Sequence, residues 1–208
     1  VFRLDDHLKR LNNSLRLIGF DAKVIEKEEF IHILKELIRL NKIESDFSIR
    51  FTYLINEIDS WSSTKYPTFF IAPLVRKRNS VETYKTMLLT KTRRISKNAM
   101  NPKIKCGANY INGRYAFIEA KSNGADLPML KNKNGYISES SGACVFLVKK
   151  GLILTPSLDC DILESITRDT VIKIFSENNY KIEERHISET EFNESDEIFL
   201  CGSAAEIT

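Results

Sequence analysis

The sequence lacks the features of membrane, secreted and metal-knuckle proteins. No uninterrupted apolar run approaches the roughly 20 residues that span a bilayer, and the start shows neither a signal-peptide nor a transit-peptide pattern. Its four cysteines form no CxxC pair, which argues against a zinc knuckle or a disulfide framework (Cys106, Cys144, Cys160, Cys201). We therefore expect a cytoplasmic protein with reduced thiols, no metal and no membrane partner.

An excess of one charge is also missing. The 31 Lys and Arg residues against 28 Asp and Glu residues leave a net charge of +3, which is too balanced to indicate nucleic acid as a partner. Basic residues are concentrated between 76 and 105, and one hypothesis is a module that binds an anionic polymer through this span. Only Tyr84 supplies an aromatic there, and no nucleic-acid motif is present.

Hydrophobic periodicity predicts an α+β first part of the chain. Two amphipathic helices follow from apolar residues at spacings of three and four (Leu8, Leu11, Leu15, Ile18; Phe30, Leu34, Leu37, Ile38). Three segments rich in aromatic and branched residues predict strands (Phe47 to Ile55, Thr68 to Val75, Lys85 to Thr90). A chain of 208 residues allows one or two domains, and we place the junction between 76 and 82.

The second part is predicted to be rich in strands, with two helices. Helices are expected from Tyr110 to Ser122 and from Ile166 to Asn178, the second opened by Ser165 and Thr167 as possible caps. Strands are expected at six places, with Asn134-Gly135 and Lys150-Gly151 as hairpin turns (127–131, 136–140, 144–149, 152–155, 181–187, 197–201).

Five short motifs follow one another along the chain in a recognisable order. IKCGANY (104–110), GYISE (135–139), SITRD (165–169) and GSAAEIT (202–208) follow VFRLDDHLKRL (1–11). In that order and at those separations they resemble the signature of the class IV aminotransferases, which include branched-chain aminotransferase, D-amino-acid transaminase and aminodeoxychorismate lyase. The resemblance implies an α+β fold with a smaller α/β domain, a larger domain with a barrel-like sheet, and a cofactor between them. We assign 1–80 to the smaller domain, lacking its N-terminal strands, and 81–208 to the larger one, lacking its C-terminal part.

The resemblance also implies pyridoxal 5'-phosphate (PLP) as the cofactor, with Lys105 as the residue that forms the Schiff base and moves the proton. An isolated lysine in a basic loop is usually a solvated charge, so this assignment rests on the ordered motifs. Lys103 would share one face of a strand with Lys105, and the spacing to GANY selects Lys105.

The remaining site residues are implied in the same way. Glu139 resembles the acid that pairs with the pyridine nitrogen, and Tyr110 the tyrosine that hydrogen-bonds the ring hydroxyl oxygen. A helix start, a glycine turn and an arginine of the smaller domain are expected to bind the phosphate (Ile166, Thr167; Gly202, Ser203; Arg10). Substrate contacts are expected from Arg50, Ser203 and Ala204.

The implied reaction moves an amino group between a branched-chain L-amino acid and 2-oxoglutarate, in a homodimer or a higher homo-oligomer. The residues AAEI in GSAAEIT favour this group over the D-amino-acid transaminases and the lyase, which remain alternatives, as does a degenerate, non-catalytic member of the family. Four positions depart from the family pattern and leave the preferred substrate open (Ser48, Cys144, Ser165, Ser203).

Overall fold

The chain folds into two compact units, Val1–Asn79 and Ser80–Thr208. The computed structural model describes residues 1–56, 60, 62–65, 67–75 and 84–208, so the domain junction predicted at 76–82 lies outside the described residues. In these ranges, no helix is both long enough and apolar enough to cross a membrane.

The first unit combines two helices with an antiparallel pair of strands. Its elements are α1 (Leu4–Ile18), α2 (Lys27–Leu40), β1 (Phe47–Ile55) and β2 (Pro67–Val75). The register of the two strands is unbroken from one end to the other. The buried Phe30 of α2 contacts Phe51 of β1, with ring centroids 5.4 Å apart. Aromatic packing therefore joins the second helix to the sheet. Burying such rings provides much of the stability of a small core.

The second unit contains a parallel pair of strands and a five-stranded sheet. Its strands are β3 (Met87–Arg93), β4 (Leu127–Lys131), β5 (Cys144–Lys149), β6 (Leu152–Pro156), β7 (Ile182–Arg185), β8 (Glu197–Gly202) and β9 (Glu206–Ile207). Its helices are α3 (Gly107–Ser122), α4 (Ile166–Glu177) and α5 (Glu189–Asn193). β3 pairs with β4, and the larger sheet has the order β7-β6-β5-β8-β9. Helices and sheets in both units confirm the α+β class.

The core of this unit lies on both faces of its central strand. Side chains of β5 alternate between two buried clusters, with Val145 and Leu147 in one and Cys144 and Phe146 in the other. A strand covered on both faces is continuously apolar, and CVFLV fits that description. The hairpin turn predicted at Lys150-Gly151 is confirmed, since both residues have positive φ, 50° and 78°.

The strand predicted from Tyr136 to Ser140 is wrong. Only one isolated bridge forms there, between Ile137 and Lys131. Residues 137–140 are all buried, whereas a strand with alternating polarity would expose every second residue. The two serines donate hydrogen bonds to backbone carbonyls, Ser138 to Cys160 (2.6 Å) and Ser140 to Pro128 of β4 (2.7 Å). The backbone of this segment also donates to two others, from Ser138 N–H to Leu130 and from Ile137 N–H to Ile187 (2.9 Å each), without forming a regular ladder.

Candidate active site

Lys105 lies in a turn directly before α3. Asn109, in the first turn of that helix, donates through its side-chain amide to the carbonyl oxygens of Asn101 (3.2 Å) and Ile104 (2.8 Å). A buried amide that binds two carbonyls holds the backbone in place, so Asn109 fixes the segment that carries Lys105. Position 105 itself is exposed, so its side chain is accessible.

The Lys105 ammonium contacts the Tyr110 phenol. Its Nζ lies 2.5 Å from the Tyr110 hydroxyl oxygen and 5.1 Å from the centre of that ring. Lys103 was expected to share a strand face with Lys105, but the segment forms turns, and the Lys103 Nζ pairs with Glu164 at 2.6 Å. The two lysines therefore have different partners, and only Lys105 lies beside a group of the predicted site.

Glu139 is a buried carboxylate with three polar neighbours. Its Oε1 accepts a hydrogen bond from Arg94 Nε (2.9 Å), and its Oε2 accepts one from the backbone N–H of Leu163 (3.2 Å). Burial raises the pKa of the Glu139 carboxyl, while Arg94, the Leu163 N–H and the charge of Lys105 act in the opposite direction. Lys105 is thus close enough to Glu139 for the two charges to interact.

Arg94 belongs to this site and was not singled out in the sequence. It directly follows β3, its side chain is 7% exposed, and it also donates to the side-chain oxygen of Asn112 (3.2 Å). A buried arginine needs an acidic partner because an unpaired charge in the interior is costly. The basic span around it contains similar residues, so nothing in the local sequence distinguishes Arg94 from Arg93.

Replacing Arg94 by methionine is expected to destabilise the protein by about 3–5 kcal/mol, because Glu139 would keep a buried charge without its partner. The loss depends on pH with a definite sign. Without Arg94 the folded-state pKa of Glu139 rises further, so the variant loses stability as pH rises above the unfolded value near ~4.3. Its deficit therefore shrinks in acid. Chemical denaturation at several pH values measures this, with the exposed Arg93→Met as control. An equal, pH-independent loss in both variants would contradict the assignment.

Four of the predicted phosphate residues, all in the second unit, lie where α4 begins (Ile166, Thr167, Gly202, Ser203). Ser165 caps this helix by accepting a hydrogen bond from the Arg168 N–H (3.2 Å), which confirms it as the cap. The turn that follows β8 lies beside the start of α4, since the hydroxyl oxygens of Thr167 and Ser203 are 3.3 Å apart. A helix N-terminus carries a partial positive charge and backbone N–H donors. With the two hydroxyls, this end of the helix is suited to an anion.

Cys144 lies between Glu139 and the start of α4. Burial together with the charge of Glu139 raises the pKa of the Cys144 thiol, and the neighbouring Ser165 side chain acts in the opposite direction. Cys144 also faces Cys201 across the β5–β8 pair, directly before Gly202 and Ser203. The buried acid and the helix start are therefore linked through contiguous packed residues of the second unit.

Two glycines bring backbones together around the loop that follows Glu139. A Cβ added at Gly202 would lie 3.3 Å from the carbonyl oxygen of Gly142, and one added at Gly113 would lie 2.8 Å from the carbonyl oxygen and 3.0 Å from the Cα of Ser141. Contacts that short cannot be relieved by a side-chain rotation. The loop therefore packs against α3 on one side and against the end of β8 on the other.

Gly113→Ala is expected to lower the free energy of unfolding by about 1–2 kcal/mol, because the overpacking outweighs the better helix propensity of alanine. Gly107→Ala is the matched control. It lies in the same helix, and an added Cβ there meets nothing within 4 Å. Urea denaturation followed by circular dichroism compares the two. Equal stability of both variants would show that the contact with Ser141 is easily relieved.

The two arginines predicted to act from the first unit lie on its regular elements. Arg10 is on α1, where its Nη2 lies 3.5 Å from His7 Nδ1. Arg50 is on β1 and exposed. Their roles toward phosphate and substrate stay predictions. Ala204, also assigned to the substrate, follows Ser203 in the exposed turn after β8.

The donor set of the second unit fits PLP. This cofactor requires an amine, an anion beside its ring nitrogen and donors for a phosphate of about −1.5 to −2 charge. Lys105 is the exposed amine, and Glu139 is a buried acid on which the charge of Lys105 acts. The start of α4 with Thr167 and Ser203 provides hydrogen-bond donors. At Gly202 the backbone of Gly142 approaches so closely that a side chain there would require the neighbouring loop to shift.

Comparisons with known proteins support the same conclusion. A family model described as amino-transferase class IV matches residues 1–208. A putative branched-chain-amino-acid aminotransferase of Methanocaldococcus jannaschii is 31% identical over 210 residues, covering all of this chain and 72% of the relative.

Solved structures are similar over the whole chain. The PLP form of the branched-chain aminotransferase from Thermobaculum terrenum is 36% identical with a TM-score of 0.90, and this chain covers 68% of it. The branched-chain aminotransferase of T.th. in complex with N-(5'-phosphopyridoxyl)-L-glutamate is 30% identical with a TM-score of 0.89, again with 68% covered. The match over all residues, together with the agreement in fold, shows that the chain belongs to the class IV aminotransferases, a family of enzymes.

Proposed function

We propose that this chain carries the site of a PLP-dependent aminotransferase that moves an amino group between a branched-chain L-amino acid and 2-oxoglutarate. The observation that carries the proposal is the grouping of an amine and a buried acid. The Lys105 Nζ lies 2.5 Å from the Tyr110 hydroxyl, and its charge acts on the carboxyl of Glu139. An amine beside the Tyr110 hydroxyl, with a charge that reaches a buried carboxylate, matches what the cofactor requires.

In this proposal Lys105 is the attachment point of the cofactor and the group that moves the proton. PLP, when bound, supplies a protonated ring that withdraws electrons from the substrate carbon. The Tyr110 hydroxyl is within hydrogen-bonding reach of the lysine nitrogen, so it can orient the amine and then bind the ring hydroxyl oxygen. Glu139 keeps the ring nitrogen protonated, because a carboxylate held in a low-dielectric interior favours a proton on its partner.

The ion pair with Arg94 holds this carboxylate in place and opposes the effect of burial on its pKa. Burial alone favours the neutral acid, which would be a poor partner for a protonated ring nitrogen. Arg94 Nε and the Leu163 N–H bind one oxygen each, so the carboxylate is oriented before any ligand arrives. Such preorganisation matters because no rearrangement is then needed during the reaction.

The phosphate is proposed to bind where α4 begins. Backbone groups of Ile166 and Thr167 and the hydroxyls of Thr167 and Ser203 would contact it, with Gly202 allowing close approach. The helix dipole adds about 0.3–1 kcal/mol for an anion at this position. Arg10 of the first unit is proposed as a further phosphate ligand, on the family resemblance alone.

The substrate assignment rests on the relatives and on the turn that follows β8. Both solved relatives described above are named branched-chain aminotransferases, and one contains an adduct of L-glutamate with the cofactor. Ser203 and Ala204 are proposed to bind the substrate carboxylate, and Arg50 the distal carboxylate of glutamate or 2-oxoglutarate. Homodimers or higher homo-oligomers are proposed as the working assembly, which light scattering after size exclusion would test.

A panel of amino donors tests the proposed reaction. We expect leucine, isoleucine or valine with 2-oxoglutarate to yield glutamate, with D-alanine and aminodeoxychorismate giving at least about tenfold lower kcat/KM. Preference for D-alanine or for aminodeoxychorismate would assign one of the two related activities instead. A protein that gives no visible band with PLP and no turnover would be a degenerate member. Strongly salt-dependent binding of RNA or DNA would support the anion-binding module.

A further inference from the structure

A second group of reactive side chains lies outside the site described above. Asp159, Cys160 and His186 each direct one ligand atom to a common region, and these atoms all lie within 4.8 Å of one another. The first two residues belong to the short 3-10 turn that follows β6, and His186 follows β7. The proposed aminotransferase chemistry uses none of the three.

Each of these side chains is held by its own contact. The Ser157 hydroxyl donates to Asp159 Oδ1 (2.5 Å), which leaves Oδ2 directed at His186 Nε2 (2.7 Å). The imidazole ring stacks on Tyr136, with centroids 4.5 Å apart and planes at 24°. The Cys160 Sγ lies 3.8 Å from the Ser157 hydroxyl oxygen, and the backbone carbonyl of Cys160 accepts from Ser138 (2.6 Å). Ligands that are oriented by a surrounding shell before a metal arrives bind it more tightly.

The kinds of ligand select the metal. One thiolate, one imidazole and one carboxylate form a set that suits zinc, which accepts sulfur, nitrogen and oxygen in tetrahedral geometry. Bonds of about 2.0–2.3 Å place such ligand atoms roughly 3.3–3.6 Å apart. The group therefore needs only small side-chain shifts, because the histidine and aspartate must separate slightly and the cysteine must approach.

We propose that Asp159, Cys160 and His186 bind one zinc ion, with water as the fourth ligand. Cys160 is fully buried and the other two are exposed on their outer sides, so the thiolate would lie inward and the water outward. The bound metal would fix the turn from which Leu163 reaches Glu139. The proposal departs from the expectation of a metal-free protein, which considered only cysteine spacing. The proposal does not rest on the aminotransferase function, because it involves none of the PLP residues.

Cobalt substitution in the full chain without PLP tests the proposal. We expect one equivalent of Co²⁺ to bind with a thiolate-to-cobalt charge-transfer band and the visible bands of a tetrahedral site. Cys160→Ser should abolish the thiolate band, and His186→Gln should weaken binding by about 100-fold or more, since even outer-shell changes cost 10–100-fold. Cys106→Ser and His32→Gln, which alter a cysteine and a histidine elsewhere, should leave the thiolate band and the affinity for Co²⁺ unchanged.

X-ray absorption of the unmodified zinc-loaded protein gives an answer that does not depend on how the variants fold. One sulfur at about 2.3 Å together with at least one imidazole supports the site. Coordination by nitrogen and oxygen alone, a thiolate band that survives in Cys160→Ser, or the absence of stoichiometric Co²⁺ binding would overturn it. In that case the group is a surface hydrogen bond between His186 and Asp159.

Discussion

Replacing Lys105 by alanine is expected to lower transaminase turnover by at least about 10²–10⁴-fold, the range attributed to a single positioned acid–base group. The variant loses both the attachment point and the group that moves the proton. It should still bind PLP through the phosphate donors near Thr167 and Ser203, but without the absorbance of a cofactor attached to a lysine. Stopped assays with leucine and 2-oxoglutarate, together with visible spectra, measure the two effects.

Lys103→Ala is the matched control for this change. It removes a neighbouring lysine whose ion pair with Glu164 is about half exposed on both sides, so it should cost no more than about 1 kcal/mol and leave turnover nearly unchanged. Added methylamine should restore part of the activity of Lys105→Ala, because a small free amine can occupy the space of the side chain. Loss of activity in Lys103→Ala with retention in Lys105→Ala would contradict the assignment.

Glu139→Gln is expected to lower kcat by about 10²–10³-fold, as for the removal of one preorganised electrostatic contact. The amide keeps the size of the side chain but cannot hold a proton on the ring nitrogen. It also leaves Arg94 buried opposite a neutral group, so stability should fall as well, by up to about 3 kcal/mol. Rates measured well below the unfolding transition separate the loss of catalysis from the loss of fold.

Glu139→Asp distinguishes an action of the negative charge on the cofactor from a purely structural role of Glu139. It restores the negative charge on a shorter side chain, and we expect it to recover a measurable part of kcat and to shift the visible spectrum of bound PLP back toward that of the unmodified protein. If the glutamine variant keeps full kcat, or if aspartate and glutamine lose it equally while both stay folded, Glu139 does not act on the cofactor ring.

Much of the fold follows from local sequence. The predicted strand from Phe47 to Ile55 coincides with β1, and Ser165 caps α4 as its position before an apolar-periodic run suggested. The Lys150-Gly151 turn matches the backbone geometry that its residue types favour. These features succeed because a strand of β-prone residues, a helix cap and a tight turn are decided by neighbours in the chain.

The partners of the site depend on residues distant in the chain and could not be derived in this way. Arg94 meets Glu139 from 45 residues away, and no periodicity or spacing marks it among the other basic residues. Asn109, which holds the turn of Lys105, was passed over within a motif that drew attention to Lys105 and Tyr110. The segment from Tyr136 to Ser140 was misassigned because its serines bind backbone carbonyls that only the tertiary fold brings near.

The central claim is that the amine of Lys105 is where PLP attaches, and one measurement tests it directly. The full chain is loaded with PLP, reduced with borohydride, digested and mapped by mass spectrometry. We expect a single phosphopyridoxyl group on the peptide that contains Lys105. A group on Lys103, or modification scattered over surface lysines with none in excess at position 105, would contradict the account.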